Sequence, residues 1–202
     1  MMKHVLLFST LLSKTKLNIS QQDKNNLLHF ADTCDYYKSG CENNENTLAS
    51  RDVYVLNLPK FSKIKEEILN CFLKHIDKYE YEENFTITTS WVTRSAPGQI
   101  GEYHKHMNSF LSGIYYLKVP VNSGFISFCK FDKENIQVVP KKWSIYNGDI
   151  YNEKIEEDDI VFFPSCMHHK QLKNNSQDIR YSLAFNFMPK GKTGRGDSVF
   201  NY

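Results

Sequence analysis

Arg180-Tyr181-Ser182-Leu183-Ala184-Phe185-Asn186-Phe187 is the stretch on which the fold turns. In an extended chain successive side chains point to opposite faces. Arg180, Ser182, Ala184 and Asn186 therefore share one face, and Tyr181, Leu183, Phe185 and Phe187 share the other. The second face is apolar throughout and reads as packing. The first combines a cation, a hydroxyl, a methyl and an amide, and reads as the wall of a cavity.

Working outward, residues 110–119, 124–131 and 159–163 are further strand-like runs. Pro120, Gly148, Pro164 and the Asn174-Asn175-Ser176 turn punctuate them. After Glu83, Phe85, Ile87, Thr89, Trp91 and Thr93 alternate with Thr86, Thr88, Ser90, Val92 and Arg94, which predicts a strand with Trp91 in the core beside Phe85 and Ile87. Short strands at this spacing, with no helices between them, predict an antiparallel sandwich or barrel. Upstream the period is helical: between residues 59 and 81, Phe61, Ile64, Ile68, Phe72 and Ile76 recur at three- and four-residue steps, as on an amphipathic helix. Another helix is expected over residues 21–37, a loop over 38–50, a first strand in the apolar run 5–12 and a mobile end over 191–197. The predicted class is mostly β with flanking helices, a cupin-like jelly roll. It forms a single structural domain, with residues 1–83 packing on a barrel of residues 84–190 and 191–202 as a tail.

Composition supports one packed core. Of 202 residues, 41% are hydrophobic and 14% aromatic, enough apolar surface at about 25 cal/mol per Å² to offset chain entropy. Lys+Arg number 25 against 23 Asp+Glu, for a net charge of +2. The basic residues are scattered, without the concentrated face that a phosphate backbone requires, so no nucleic-acid partner is expected. Five cysteines without CxxC spacing fit a reducing cytoplasm. A Cys34–Cys41 disulfide is weighed and set aside, since nothing else suggests export. The N-terminal apolar run is short and is followed by Lys14 and Lys16 without a small-residue cleavage site, unlike a signal peptide. No segment approaches the ~18 to 20 apolar residues of a membrane span.

Four of the seven histidines fall in two places, His104-Lys105-His106 and His168-His169. In an extended segment His104 and His106 point the same way and can face one metal ion, with the third ligand from the second cluster. His168 and His169 face opposite ways on a strand, so only one of them serves. Imidazole suits Zn, Cu, Fe and Ni alike. Arg180 discriminates: a guanidinium in a cavity is a bidentate receptor for a carboxylate, with Ser182 two residues on as a further donor. Metal ligands and a carboxylate clamp in one barrel imply an acid that chelates the metal, the arrangement of 2-oxoglutarate.

His104-x-His106, then Leu111-Ser112-Gly113-Ile114-Tyr115-Tyr116-Leu117, then Phe163-Pro164-Ser165-x-x-x-His169, then Arg180-x-Ser182 form an ordered series. It resembles the 2-oxoglutarate/Fe(II) oxygenases related to prolyl hydroxylases, over residues 91–188. The resemblance implies a double-stranded β-helix and Fe(II) on His104, His106 and His169. It also implies 2-oxoglutarate as cosubstrate, held at its far carboxylate by Arg180 with Tyr116 or Ser182. The spacing Phe-Pro-Ser-x-x-x-His selects His169 over His168. His106 stands where that superfamily usually has Asp or Glu, and a neutral ligand leaves the iron more positive. Asp132 and Asp149 lack the spacing to replace it.

The expected activity is a dioxygenase hydroxylating a small molecule or a protein side chain, with release of succinate and CO2. One rival is a three-histidine cupin-type dioxygenase that does not use 2-oxoglutarate. The other is a non-catalytic jelly-roll binding module with a closed, four-coordinate metal. Residues 139–157 are the expected lid, and exposed edge strands allow a homodimer.

Overall fold

The computed structural model describes residues 2–3, 9–38, 46–130 and 139–201. Twelve strands and two α-helices follow in chain order: β1 (Ser13–Lys16), α1 (Gln21–Thr33), β2 (Tyr36–Lys38), β3 (Leu48–Ser50), α2 (Ser62–Ile76), β4 (Asn84–Ser95), β5 (Leu111–Lys118), β6 (Phe125–Cys129), β7 (Ile150–Lys154), β8 (Asp159–Pro164), β9 (His168–Gln171), β10 (Arg180–Lys190), β11 (Lys192–Thr193) and β12 (Phe200–Asn201). A seven-stranded sheet runs β1-β8-β5-β10-β4-β3-β2 and faces a three-stranded sheet, β7-β6-β9. The two sheets make the expected jelly roll, a double-stranded β-helix. No helix among the described residues is long and apolar enough to cross a membrane.

The two faces of β10 build two cores. Tyr181, Leu183, Phe185 and Phe187 join Leu27 of α1 and Ile64, Ile68 and Phe72 of α2 in a core between the large sheet and the helices. Phe72 stacks on Phe187 with centroids 3.8 Å apart and planes 11° apart. The opposite face places Ala184 with Ile114, Tyr116, Ile126, Phe128, Val161 and Phe163 in a smaller core between the sheets. Gly113 on β5 lets the Phe185 ring cross it, since a Cβ there would meet the ring at 2.3 Å.

The N-terminal half departs from the sequence expectation in several places. Helix α1, capped by Ser20 accepting from the Asp23 amide, ends at Thr33 instead of continuing to residue 37. Cys34 is extended, and Tyr36–Lys38 pair with β3 inside the segment expected as loop; residues 39–45 of that segment lie outside the described residues. Of the run expected as a first strand, residues 5–8 also lie outside them, and residues 9–12 form no strand. The first strand, β1, starts at Ser13 and pairs with β8 at the sheet edge, where Lys14 bonds Glu153 and Lys16 reaches Asp159 at 2.9 Å. Lysines on an edge strand discourage further pairing. Residues 59–81 are helical as expected, with α2 flanked by 3-10 turns at Pro59–Phe61 and Asp77–Tyr79.

Two corrections concern the barrel and its end. Along the β4–β10 pairing, Asn186 faces Thr89 but Phe187 faces Ile87, so Thr88 is an extra residue that reverses the alternation. Ile87 and Val92 thereby both reach the helix-side core, while Trp91 packs between the sheets. Residues 191–201 are not a loose end, because β11 and β12 close a short ribbon. The expected lid, residues 139–157, contains β7, whose register with β6 makes part of it a hairpin arm.

Candidate functional site

Beside β9 the chain of residues 101–106 runs antiparallel. Gly101 N donates to Gln171 O at 2.9 Å, His104 and His169 exchange backbone hydrogen bonds at 3.0 and 2.9 Å, and His106 N donates to Ser165 O at 3.0 Å. His104 therefore lies opposite His169 in register, and their side chains leave the same face. His106, two residues on, joins them. The three rings lie with centroids 4.5 to 5.2 Å apart, and one nitrogen from each falls within 4.8 Å of the others.

The tautomers follow from the backbone. His104 Nδ1 lies 2.9 Å from Glu102 O and His169 Nδ1 2.9 Å from Met167 O. A carbonyl only accepts, so each Nδ1 carries a proton, and in the neutral ring the lone pair is then on Nε2. His106 Nε2 and His169 Nε2 face each other at 3.3 Å. Two lone pairs at that range repel unless a proton or a metal ion lies between them. Burial, reinforced by His104, pushes His106 down to about 4, and burial pushes His169 down to about 3. Neutral imidazoles with converging nitrogens fit a metal ion.

The wall beside this cluster contains a residue that alternation had placed elsewhere. The Trp91 ring lies 5.4 Å from His106 at 46°, because the bulge at Thr88 turns it inward. Nothing in the residue pattern signals that bulge. Phe163 and Phe128 flank His169 at 4.6 and 6.1 Å.

Deeper between the sheets lies a second polar group. Arg180 is 2% exposed. Its Nη1 donates to Ser123 O, while Nη2 is buried without a hydrogen-bond partner. Burial lowers its pKa to about 10. Ser182 shares its face and pairs in register with Tyr116 on β5, so Arg180, Ser182 and Tyr116 come together as expected by position. Tyr116 is fully buried and accepts a 2.7 Å hydrogen bond from Gln171 Nε2; burial raises the pKa of its hydroxyl. Gln171 Oε1 and Ser123 Oγ are also buried without partners. Gln171 and Ser123 escaped the sequence reading. Gln171 is two residues from His169 on one strand face, a spacing that would have suggested it.

His168 does not join the cluster: it alternates with His169 and pairs in register with Cys129. Asp149 stands outside the three-histidine group, and Asp132 lies outside the described residues.

A buried guanidinium with a free nitrogen, between the same sheets as converging imidazoles and tied to their strand by the Gln171–Tyr116 hydrogen bond, suits a carboxylate and a metal ion held near one another. The family model described as "Putative 2OG-Fe(II) oxygenase" matches residues 89–186, the segment that contains all of these groups. Residues 89–186 belong to the 2-oxoglutarate/Fe(II) oxygenase superfamily. The chain is thus an oxidoreductase of the class that uses Fe(II) with 2-oxoglutarate as cosubstrate.

Solved structures of oxygenases share the fold. A prolyl-4-hydroxylase from Pseudomonas putida superposes with a TM-score of 0.60 at 14% identity, covering 87% of this chain and 91% of its own. HygX from Streptomyces hygroscopicus, solved with nickel and 2-oxoglutarate bound, gives 0.62 at 10% identity, covering 89% and 83%. The carbocyclase SnoK from nogalamycin biosynthesis gives 0.66 at 13%, covering 88% and 79%. Likeness at such identities speaks to the double-stranded β-helix and not to substrate. No protein of curated function matches the sequence.

Proposed function

We propose that this oxygenase hydroxylates a C–H bond of a small molecule or a protein side chain, holding Fe(II) on His104, His106 and His169. Arg180, with Tyr116 and Ser182, receives the far carboxylate of 2-oxoglutarate. The observation that carries this reading is Arg180 Nη2, a charged donor buried with no partner between the sheets, joined to the wall of three converging imidazoles through Gln171, which follows His169 by two residues and bonds Tyr116. An uncompensated buried cation is costly, and a carboxylate ligand removes that cost.

Bound iron and cosubstrate supply the chemistry: dioxygen is reduced, one oxygen atom enters the substrate and the other enters succinate as CO2 leaves. The chain's own residues supply position and exclusion of water. Carbonyls of Glu102 and Met167 fix the tautomers of His104 and His169. Gln171 donates to Tyr116, so the phenol proton is available to a carboxylate at Arg180. Trp91 covers the His106 ring, and Phe128 and Phe163 cover that of His169, while His104 stays exposed on the open side.

With three neutral ligands the protein leaves both positive charges of Fe(II) unbalanced, and the dianionic cosubstrate compensates them. The same histidine at position 106 is the feature that favours a three-histidine dioxygenase without 2-oxoglutarate. An anaerobic titration with Fe(II) and then 2-oxoglutarate separates the two. A weak visible charge-transfer band that needs both additions, and fades in Arg180→Ala, is the expected result. Bound Fe(II) without such a band overturns the 2-oxoglutarate reading.

A further inference from the structure

The cavity face of β10 turns polar again beyond the histidines. Asn186 follows Arg180 on that face by six residues, about 20 Å along the strand. Between them Ala184 pairs in register with Trp91, the residue against His106. Arg180 and Asn186 therefore lie on opposite sides of the histidine cluster. Asn186 pairs with Thr89 on β4 and Ser112 on β5.

These side chains form a directed chain. Ser112 Oγ, 2.7 Å from Ser165 Oγ, donates to Asn186 Oδ1 at 2.8 Å. Asn186 Nδ2 donates to Thr89 Oγ1 at 3.0 Å. Thr89 thus accepts, and its own proton is left to donate; Asn186 keeps a second N–H. Hydrogen bonds aligned in one direction strengthen the terminal donor. Ser112 is 1% exposed, whereas Asn186 and Ala184 are each 8% exposed and Thr89 and Trp91 are half-buried, so the open end of the chain borders accessible space beside the metal ligands.

We infer that Thr89 and Asn186 are specificity-determining residues that receive a carbonyl-type oxygen of the substrate, placing the bond to be oxidised beside the histidine cluster. The inference rests on the oxygenase reading above. It commits to a substrate with an acceptor oxygen near the reacting carbon, in place of a plain hydrocarbon group. A carboxylate and a neutral carbonyl share this chemistry.

The test uses the full chain loaded with Ni(II), which is redox-inert here, and saturating 2-oxoglutarate. Isothermal titration calorimetry then compares benzoate, benzamide and toluene. Benzoate or benzamide is expected to bind at least tenfold more tightly than toluene. Thr89→Val is expected to remove about tenfold, the usual worth of one hydrogen bond, and Thr89→Ser to keep it. Asn186→Asp replaces a donor by a like charge, so loss of benzoate alone identifies a carboxylate site, and preference for benzamide throughout identifies a neutral carbonyl. Equal binding of the three probes, or unchanged binding in Thr89→Val, overturns the proposal. Loading heats for Ni(II) and 2-oxoglutarate are read first: normal loading with no oxygen-dependent probe binding defeats this inference alone, whereas absent loading defeats the oxygenase reading with it.

Discussion

The Trp91 indole lies against the His106 imidazole, ring centroids 5.4 Å apart, although the two belong to different segments of the barrel wall. The contact depends on the bulge at Thr88, which turns Trp91 from the helix side to the cavity side. The only other tryptophan, Trp143, is 63% exposed on a surface loop.

That contact predicts an optical report of metal binding. Co(II), a paramagnetic quencher, is expected to reduce intrinsic fluorescence when it saturates the histidines. The quench should persist in Trp143→Phe and vanish in Trp91→Phe. A quench that survives Trp91→Phe would place the metal elsewhere.

Gln171 is expected to act through Tyr116. Gln171→Leu keeps the volume but removes the donor to the phenol oxygen, so the phenol proton is no longer directed towards Arg180. An anaerobic titration of the charge-transfer band should show roughly tenfold weaker 2-oxoglutarate binding, with Fe(II) affinity unchanged. Arg180→Lys should cost more, about 10- to 100-fold, because an ammonium cannot form the bidentate pair with a carboxylate. Equal loss of Fe(II) and 2-oxoglutarate would show a general collapse of the site instead.

Gly113→Ala tests the packing beneath the site. The added methyl would meet the Phe185 ring at 2.3 Å and the Val161 carbonyl at 2.9 Å. Phe185 cannot retreat easily, since Phe162 and Phe187 pack on it at 6.1 and 5.7 Å. Overpacking of this kind costs about 1–3 kcal/mol or more. Urea denaturation should show it as a lower midpoint with an unchanged slope; no change in midpoint would mean that β5 and β10 separate freely.

The sequence was most informative where alternation runs unbroken. From Arg180 to Phe187 the alternation holds throughout, with Tyr181, Leu183, Phe185 and Phe187 in the helix-side core and Ala184 between the sheets with the buried polar Arg180, Ser182 and Asn186, and the family resemblance named from the motifs agrees with the family match. The His-x-His pair was legible for the same reason, as i and i+2 in extended chain. At Thr88 the same rule failed, because one inserted residue reverses every later side chain and leaves composition untouched. That misplaced Trp91. The end of α1 was missed because pairing of Tyr36–Lys38 with β3 overrides a weak helical pattern, and tertiary pairing is invisible to local spacing. Ser123 was unreadable in another way: its backbone carbonyl, common to every residue, is what holds Arg180.

His75 yields a prediction about pH that is separate from the metal site. It lies in α2 at 3% exposure, stacked on Phe162 at 5.5 Å and 21°. Its Nδ1 is 2.8 Å from Ser13 Oγ, and its Nε2 is buried without a partner. Burial pushes its pKa down to about 4 from the usual 6.5. Between those values the unfolded chain binds a proton that the folded chain refuses. Stability is therefore fully present above about pH 6.5 and is lost as pH falls towards 4. The loss attributable to His75 is on the order of 3 kcal/mol. His106 and His169 add to acid sensitivity in the metal-free protein, so the comparison is between wild type and His75→Phe under identical conditions. The phenyl ring keeps the stack on Phe162 and cannot take up a proton. The difference in urea midpoint between the two proteins should shift in favour of His75→Phe as pH falls from 7 to 4.5. A difference that stays constant across that range would mean that His75 titrates normally in the folded protein.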